Sequence, residues 1–246
     1  MTDPVRWGAT PEEWAHFDLV LGLTEDLLPV VSNPNAVISP ASKMKALGKT
    51  PSRYNSQRQA AGVSSWTSHV STPGMVTKWS QEPDYGISLQ TRTVRAIDVD
   101  ITDSELAHEV YHFIFDESGV RLPRRLRRGS PKFLLAFSMP GEASKRVIHT
   151  EHGIIEALCT GQQFITCGTH PSGTRYEWAG GLPDEIPGLP PEQFEALWEA
   201  LQARFGIEPA DKSPISVKAL KLTEAATRDP VALLISERGL ALSAER

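Results

Sequence analysis

An α+β fold is what this sequence predicts, and three observations predict it. Candidate elements run in the order strand, helix, several strands, then helices, without the strict alternation of a parallel α/β sheet. The 246 residues are 40% hydrophobic and 22% charged, ordinary globular usage in a chain long enough to bury a core without staples. No stretch approaches 18 consecutive apolar residues, so no span of a membrane is expected.

The elements follow from local pattern. Residues 10–29 read as a helix: Thr10 can cap it, Pro11 fits the first turn, and Glu12 and Glu13 suit the N-terminal dipole. Residues 30–85 are rich in Ser, Pro, Gly, Asn and Thr. They read as loops with short elements, among them a strand at Ala36–Ser39 and a polar loop at Gly48–Ala60. Tyr85–Leu89 and Thr93–Ile101 read as consecutive strands. Ser104–Ser118 reads as a helix, with Leu106, Val110, Phe113 and Ile114 on one stripe. Lys132–Ser138 has the composition of a buried strand, and Glu151–Leu158 and Gln162–Cys167 of two more. His170–Gly173 signals a turn and Thr174–Trp178 a returning strand. Pro191–Phe205 reads as a helix with Phe194, Leu197, Leu201 and Phe205 on one face, and Ser213–Thr227 as another. The final DPVALLISERGLALSAER begins an apolar segment and stops in exposed charge, as the start of a linker to a further domain would. No repeat of 20–50 residues is present, which argues against a solenoid.

Charge and cysteine content narrow the function classes. The N-terminus carries an early acid and no apolar core, unlike a signal peptide. Two cysteines, Cys159 and Cys167, cannot form a four-cysteine zinc site and read as buried small hydrophobes in a reducing cytoplasm. With a net charge of −5, any nucleic-acid binding must come from a local patch. RLPRRLRRGSPK, from Arg121 to Lys132, is such a patch: six basic residues and no acid. It reads as a loop, either solvated or contacting phosphates. His149 and His152 lie at i and i+3 but lack a third ligand at suitable spacing, so no metal is expected there. Trp66, Trp79 and Trp178 are candidates for base stacking, with core anchoring the simpler role.

The chemistry concentrates in Arg95-Ala-Ile-Asp-Val-Asp-Ile101. Side chains alternate across a strand, so Asp98 and Asp100 share a face while Ile97, Val99 and Ile101 take the other. Carboxylates ~7 Å apart by Cα repel unless a cation lies between them, and hard oxygen ligands favour Mg²⁺ or Mn²⁺. An edge strand with a solvated polar face is the plainer alternative.

With this segment the sequence resembles the archaeo-eukaryotic primase superfamily, and more narrowly the bifunctional primase–polymerase domains of phages and plasmids. The likeness spans roughly residues 36–205. It rests on Gly86–Asp100, on Gly48-Lys-Thr-Pro-Ser-Arg-Tyr-Asn55 with Trp66 and Trp79, on Ile154-Ile-Glu-Ala-Leu158, on Gly161-Gln-Gln-Phe164, and on His170-Pro-Ser-Gly-Thr-Arg-Tyr-Glu-Trp178. The resemblance implies a primase–polymerase fold with an RNA-recognition-motif-like catalytic half and an N-terminal α/β half from residues ~30–90, a mixed sheet and outer helices. Residues 1–210 would form the catalytic domain and 211–246 a C-terminal helical segment. It implies a metal-dependent DNA primase/polymerase that extends a 3′-hydroxyl on a DNA template from nucleoside triphosphates, with de novo priming open and a fused or associated helicase as partner.

Three motifs carry that activity in the superfamily: acid-x-acid, small-x-His and hydrophobic-acid. Asp98 and Asp100 match the first. Ile155-Glu156 matches the third, making Asp98, Asp100 and Glu156 the expected catalytic and metal-holding set of a two-metal site. The second motif departs: Ser130-Pro131-Lys132 stands where Ser-x-His is expected. A rival assignment takes Gly168-Thr169-His170 as the second motif and Glu177 as the last acid. The expected nucleotide contacts are Lys132, Arg128 (or Arg127), Ser130 and His170, and the expected DNA contacts Arg124, Arg125, Lys49 and Arg53. A primase-like module that binds nucleic acid or nucleotide without catalysis is the alternative, kept open by the Ser-x-Lys departure.

Overall fold

A computed structural model describes residues 6–207. They form an α+β arrangement whose centre is a six-stranded sheet. The strands are β1 (Leu27–Val31), β2 (Ser52–Tyr54), β3 (Ala60–Gly62), β4 (Tyr85–Gln90), β5 (Val94–Ile101), β6 (Arg124–Arg127), β7 (Phe133–Ser138), β8 (Arg146–Thr150), β9 (Gly153–Leu158), β10 (Gln163–Cys167) and β11 (Tyr176–Trp178). The helices are α1 (Pro11–Ala15), α2 (Pro73–Ser80), α3 (Ser104–Ser118) and α4 (Pro191–Phe205). The central sheet runs β11-β6-β7-β5-β9-β8; a smaller sheet runs β1-β4-β10, and β2 and β3 pair alone.

The alternation of β5 separates two cores. Ile97, Val99 and Ile101 are fully buried against α3 and α4, with Val110, Ile114, Phe194, Leu197 and Leu201. The opposite face contributes Val94, Ala96, Leu134, Ala136 and Leu158 to a second core with Trp14, Phe17, Leu27, Ile87 and Leu89. The same face of β5 therefore begins apolar at Val94 and Ala96 and ends in the acids Asp98 and Asp100. Helix α3 matches its sequence pattern because both ends are fixed: Asp103 accepts from the Leu106 N–H at 2.8 Å, and Gly119 closes it at φ 62°.

Several expectations need correction. The sheet is not mixed: among the described residues every ladder is antiparallel, and parallel pairing occurs only as the isolated bridges Ile38↔Ala60 and Ser138↔Gly188. Neighbours such as β8 and β9 are joined by a short turn, and a parallel pair needs a crossover of a dozen residues or more. The helix expected over 10–29 is α1 followed by a wider turn at His16–Val20, broken at Gly22 (φ 65°). Leu27–Val31 is a strand buried along its whole length, and such a run cannot be told from a buried helix by periodicity. Pro29 is accommodated there because β1 is an edge strand of its sheet. Ala36–Ser39 makes only the Ile38 bridge. Arg124–Arg127, expected as a loop, is the strand β6, and β8 was not expected at all. Trp79 and Trp178 pack in the second core. The expected helix Ser213–Thr227 and the segment 211–246 lie outside the described residues. No described helix is long and apolar enough to cross a membrane.

Candidate active site

Antiparallel register builds the site row by row, because directly opposed residues point to the same face. Asp98 on β5 lies opposite Glu156 on β9 and opposite Leu134 on β7. Leu134 in turn faces Arg125 on β6, and Arg125 faces Trp178 on β11. One row across the sheet therefore reads Trp178, Arg125, Leu134, Asp98, Glu156. Arg125 reaches over Leu134 to bring Nη2 to 3.9 Å from Asp98 Oδ1. It also stacks 4.3 Å from the Tyr176 ring centroid and donates to the Ile165 carbonyl at 2.6 Å, so this guanidinium is fixed.

The next row carries Asp100, two residues along β5. Lys132 precedes β7 and its ammonium forms an ion pair with Asp100. Arg127, opposite Tyr176, stands on the same face. Asp98, Asp100, Lys132, Arg125 and Arg127 line one small cleft together with Lys49, His170 and Tyr176. Lys49 arrives from the loop after β1. Gly48 (φ 66°) turns that loop, and a Cβ there would stand 3.2 Å from Pro171, so the Lys49 and His170 loops pack closely. Gln163 Nε2 donates to the Lys49 carbonyl at 2.8 Å and ties the loop to β10.

Electrostatics follow from this crowding. Burial raises the Asp98 carboxyl above its ordinary value; Arg125 and Lys49 oppose that, and Asp100 and Glu156 add to it. Burial lowers the Lys49 amine, as does Arg127. His170 is pushed down to about 4 by burial and then by Lys49, Arg127, Arg125 and Lys132. Its bonds agree: Nδ1 lies 2.9 Å from Arg127 Nη1 and accepts the Ser172 N–H at 3.0 Å. A guanidinium only donates, so Nδ1 is unprotonated and the neutral ring carries its proton on Nε2.

Lys132 and His170, the two rival second-motif residues, thus line the same cleft. The rival last acids separate instead. Glu156 opposes Asp98, whereas Glu177 opposes Leu126, exposed on the other face of the sheet. The Glu156 carboxylate turns to Lys145, at 2.5 Å from its Nζ. Among the described residues, no three acids or imidazoles already converge tightly enough to cage a metal ion. The donor set nevertheless fits a hard divalent cation: three carboxylates on adjacent rows, with Asp98 raised by burial and by its acidic neighbours.

Other expected contacts lie elsewhere. Arg128 sits in the turn after β6 and does not line the cleft; Arg127 does. Strand alternation decides this, since Arg125 and Arg127 share the acid face. Arg124 points to the opposite face, 4.2 Å above the Tyr111 ring. Ser130 Oγ accepts from the Lys132 N–H at 3.3 Å and so shapes the turn that carries the lysine. Arg53 is exposed on β2, outside the cleft. Lys145 was missed because it precedes a strand that the sequence pattern did not announce.

A single sheet face thus bears three acids and several cations, and Asp98, Asp100, Lys49, Arg125, Arg127 and Lys132 line one cleft on it. The chain belongs to the bifunctional DNA primase/polymerase N-terminal domain family, whose model matches residues 14–192. That family works on DNA and nucleotides. No curated protein matches the chain.

Proposed function

We propose that this domain adds nucleotides to a 3′-hydroxyl on a DNA template, with Asp98, Asp100 and Glu156 as its catalytic acids. The observation that carries the reading is the opposition of Asp98 and Glu156 across β5–β9, with Asp100 in the next row and Lys49, Arg125, Arg127 and Lys132 on the same face. Mg²⁺ or Mn²⁺ held by the three carboxylates would stabilise the attacking and leaving oxygens of an in-line displacement.

The chain's own residues divide the remaining work. Lys132 and Arg127 bind outer oxygens of the triphosphate, the first as a point charge and the second as a planar fork. Lys132 exchanges its Asp100 partner for phosphate when the nucleotide enters, which frees that carboxylate. Arg125, fixed by Tyr176 and Ile165, holds the Asp98 carboxylate in place. The neutral His170 offers its Nε2–H as a hydrogen-bond donor to a phosphate oxygen. The buried Tyr176 lines the same cleft beneath the Arg125 guanidinium.

The ion pairs Lys132–Asp100 and Lys145–Glu156 favour a second reading, a binding module whose acids are neutralised by lysines and do no chemistry. Extension of a labelled primer on a DNA template in Mg²⁺ or Mn²⁺ separates the two. The proposal expects product at each added nucleotide. Tight binding of primer–template and nucleotide without any extension supports the binding module. Omitting the primer in the same assay tests de novo priming.

A further inference from the structure

The loop that delivers Lys49 to the acid cleft also borders a second cavity of about 1000 Å³, and Lys49 lines both spaces. Lys43, Lys45 and Lys49 all line this second cavity and no acidic residue does, in a chain whose net charge is −5. None of the three forms an ion pair among the described residues, whereas Lys132 and Lys145 each hold a carboxylate. Lys43 and Lys45 are exposed while the intervening Met44 is half-buried. Met44 packs toward Gly62, where an added Cβ would meet its Cγ at 3.4 Å. Met44 lines the same cavity, with the exposed Lys43 and Lys45 on either side of it. Ala61, Gly62 and Ser64 line it with small side chains and leave width for a base.

We propose that this cavity is the path of the single-stranded template, with Lys43, Lys45 and Lys49 holding successive phosphates as the strand leads to the acids. The inference rests on the primase–polymerase reading and adds to it the route of one substrate. An incoming nucleotide is a poorer occupant, because Lys132, Arg127 and His170 already serve a triphosphate within the cleft itself. Three lysines spread over the seven residues from Lys43 to Lys49 suit a chain of phosphates better than one triphosphate. A space of about 1000 Å³ has room for a few nucleotides of one strand.

Counterion release gives the test its number. Each phosphate neutralised on a single strand contributes about −0.7 to the slope of log K against log [salt]. The full chain and its K43Q/K45Q variant are titrated against a fluorescent oligothymidylate at several NaCl concentrations, with K78Q as an exposed control lysine on α2. The double variant should lose about 1.4 from the magnitude of the slope and bind the strand about tenfold more weakly at moderate salt. Its affinity for a nucleoside triphosphate in Mg²⁺ should stay within about twofold of the parent, since neither lysine lines the acid cleft. K78Q should leave strand binding unchanged. In the unmodified chain, bound oligothymidylate should protect Lys43 and Lys45 from amine acetylation.

An unchanged slope, an equal loss toward blunt duplex, or acetylation at the rate of the free protein overturns the inference. Primer extension by the same preparations distinguishes the two levels. If the parent chain extends primers while K43Q/K45Q binds the strand like the parent, the template path alone is wrong. If the parent neither extends primers nor binds the strand, the primase–polymerase reading falls and the path with it.

Discussion

Asp98 and Glu156 stand directly opposite each other across the β5–β9 ladder. Neither could be replaced in this role by its neighbours in sequence, because one step along either strand reverses the face. The pairing puts two carboxylates side by side where the nearest fixed guanidinium, that of Arg125, is 3.9 Å from Asp98. Lys145 pairs with Glu156, but burial, with Asp100 and Glu156 adding to it, still opposes ionisation of the Asp98 carboxyl in the folded chain.

That opposition is measurable. The Asp98 carboxyl has a folded value above its unfolded one, so the unfolded chain releases this proton first. Ionised Asp98 therefore costs stability as pH rises from the unfolded value through the folded one, and the cost is absent below both. In EDTA at neutral pH, Asp98→Asn should melt at a higher temperature than the parent. The gap should close as pH falls below about 4, the ordinary range of an aspartate. A parent chain that melts above the variant at neutral pH contradicts the assigned cause.

His170 gives the opposite sign. Its folded value, about 4, lies below the ordinary histidine value of 6.5, so the unfolded chain takes up this proton first as pH falls. The stability held by neutral His170 is full above about 6.5 and is lost as pH falls toward 4. His170→Asn should flatten the melting-temperature profile in that window. Primer extension should show no step near pH 6.5 that His170→Asn removes, since the ring stays neutral through that range.

Lys132 bears on nucleotide affinity. Lys132→Ala should weaken nucleoside triphosphate binding by about tenfold or more while leaving primer–template affinity within about twofold. Isothermal titration against each ligand separately decides this. Equal weakening of both would move the phosphate role to Arg127 and His170.

Gly153 sets how closely β9 approaches β5. It adopts φ 146°, and a Cβ there would stand 2.1 Å from the Asp100 carbonyl oxygen. Gly153→Ala should cost about 1–3 kcal/mol of stability in chemical denaturation and also reduce extension, because it displaces the strand that presents Glu156. A variant as stable and as active as the parent contradicts the tight approach.

The sequence made the acid pair and its strand legible because alternation within Arg95–Ile101 is local, and α3 and α4 because stripe and caps agree. It also proposed Glu156 ahead of Glu177, from motif order; the sheet face that separates them is a property of register, which no single segment contains. The same gap explains the arginines. RRLR reads as a charge run until its pairing with β7 and β11 sends Arg125 and Arg127 to the acids and Arg124 to Tyr111. Strand β1 was missed because Leu-Leu-Pro-Val-Val is buried throughout and carries no period. Lys43 and Lys45 lie in a stretch whose lysines look merely solvated until the cavity beside Lys49 is seen.

Which acids do the chemistry is tested most directly by one experiment. Single-nucleotide primer extension is measured for the parent chain and for Asp98→Ala, Asp100→Ala, Glu156→Ala and Glu177→Ala, each checked for an unchanged circular dichroism spectrum. The first three should lose at least about 10²–10³ in rate, the scale for removing one electrostatic partner of a transition state. Glu177→Ala, on the far face of the sheet, should extend like the parent. Synthesis that survives Asp98→Ala, or that falls with Glu177→Ala and not with Glu156→Ala, would contradict the assignment of these acids.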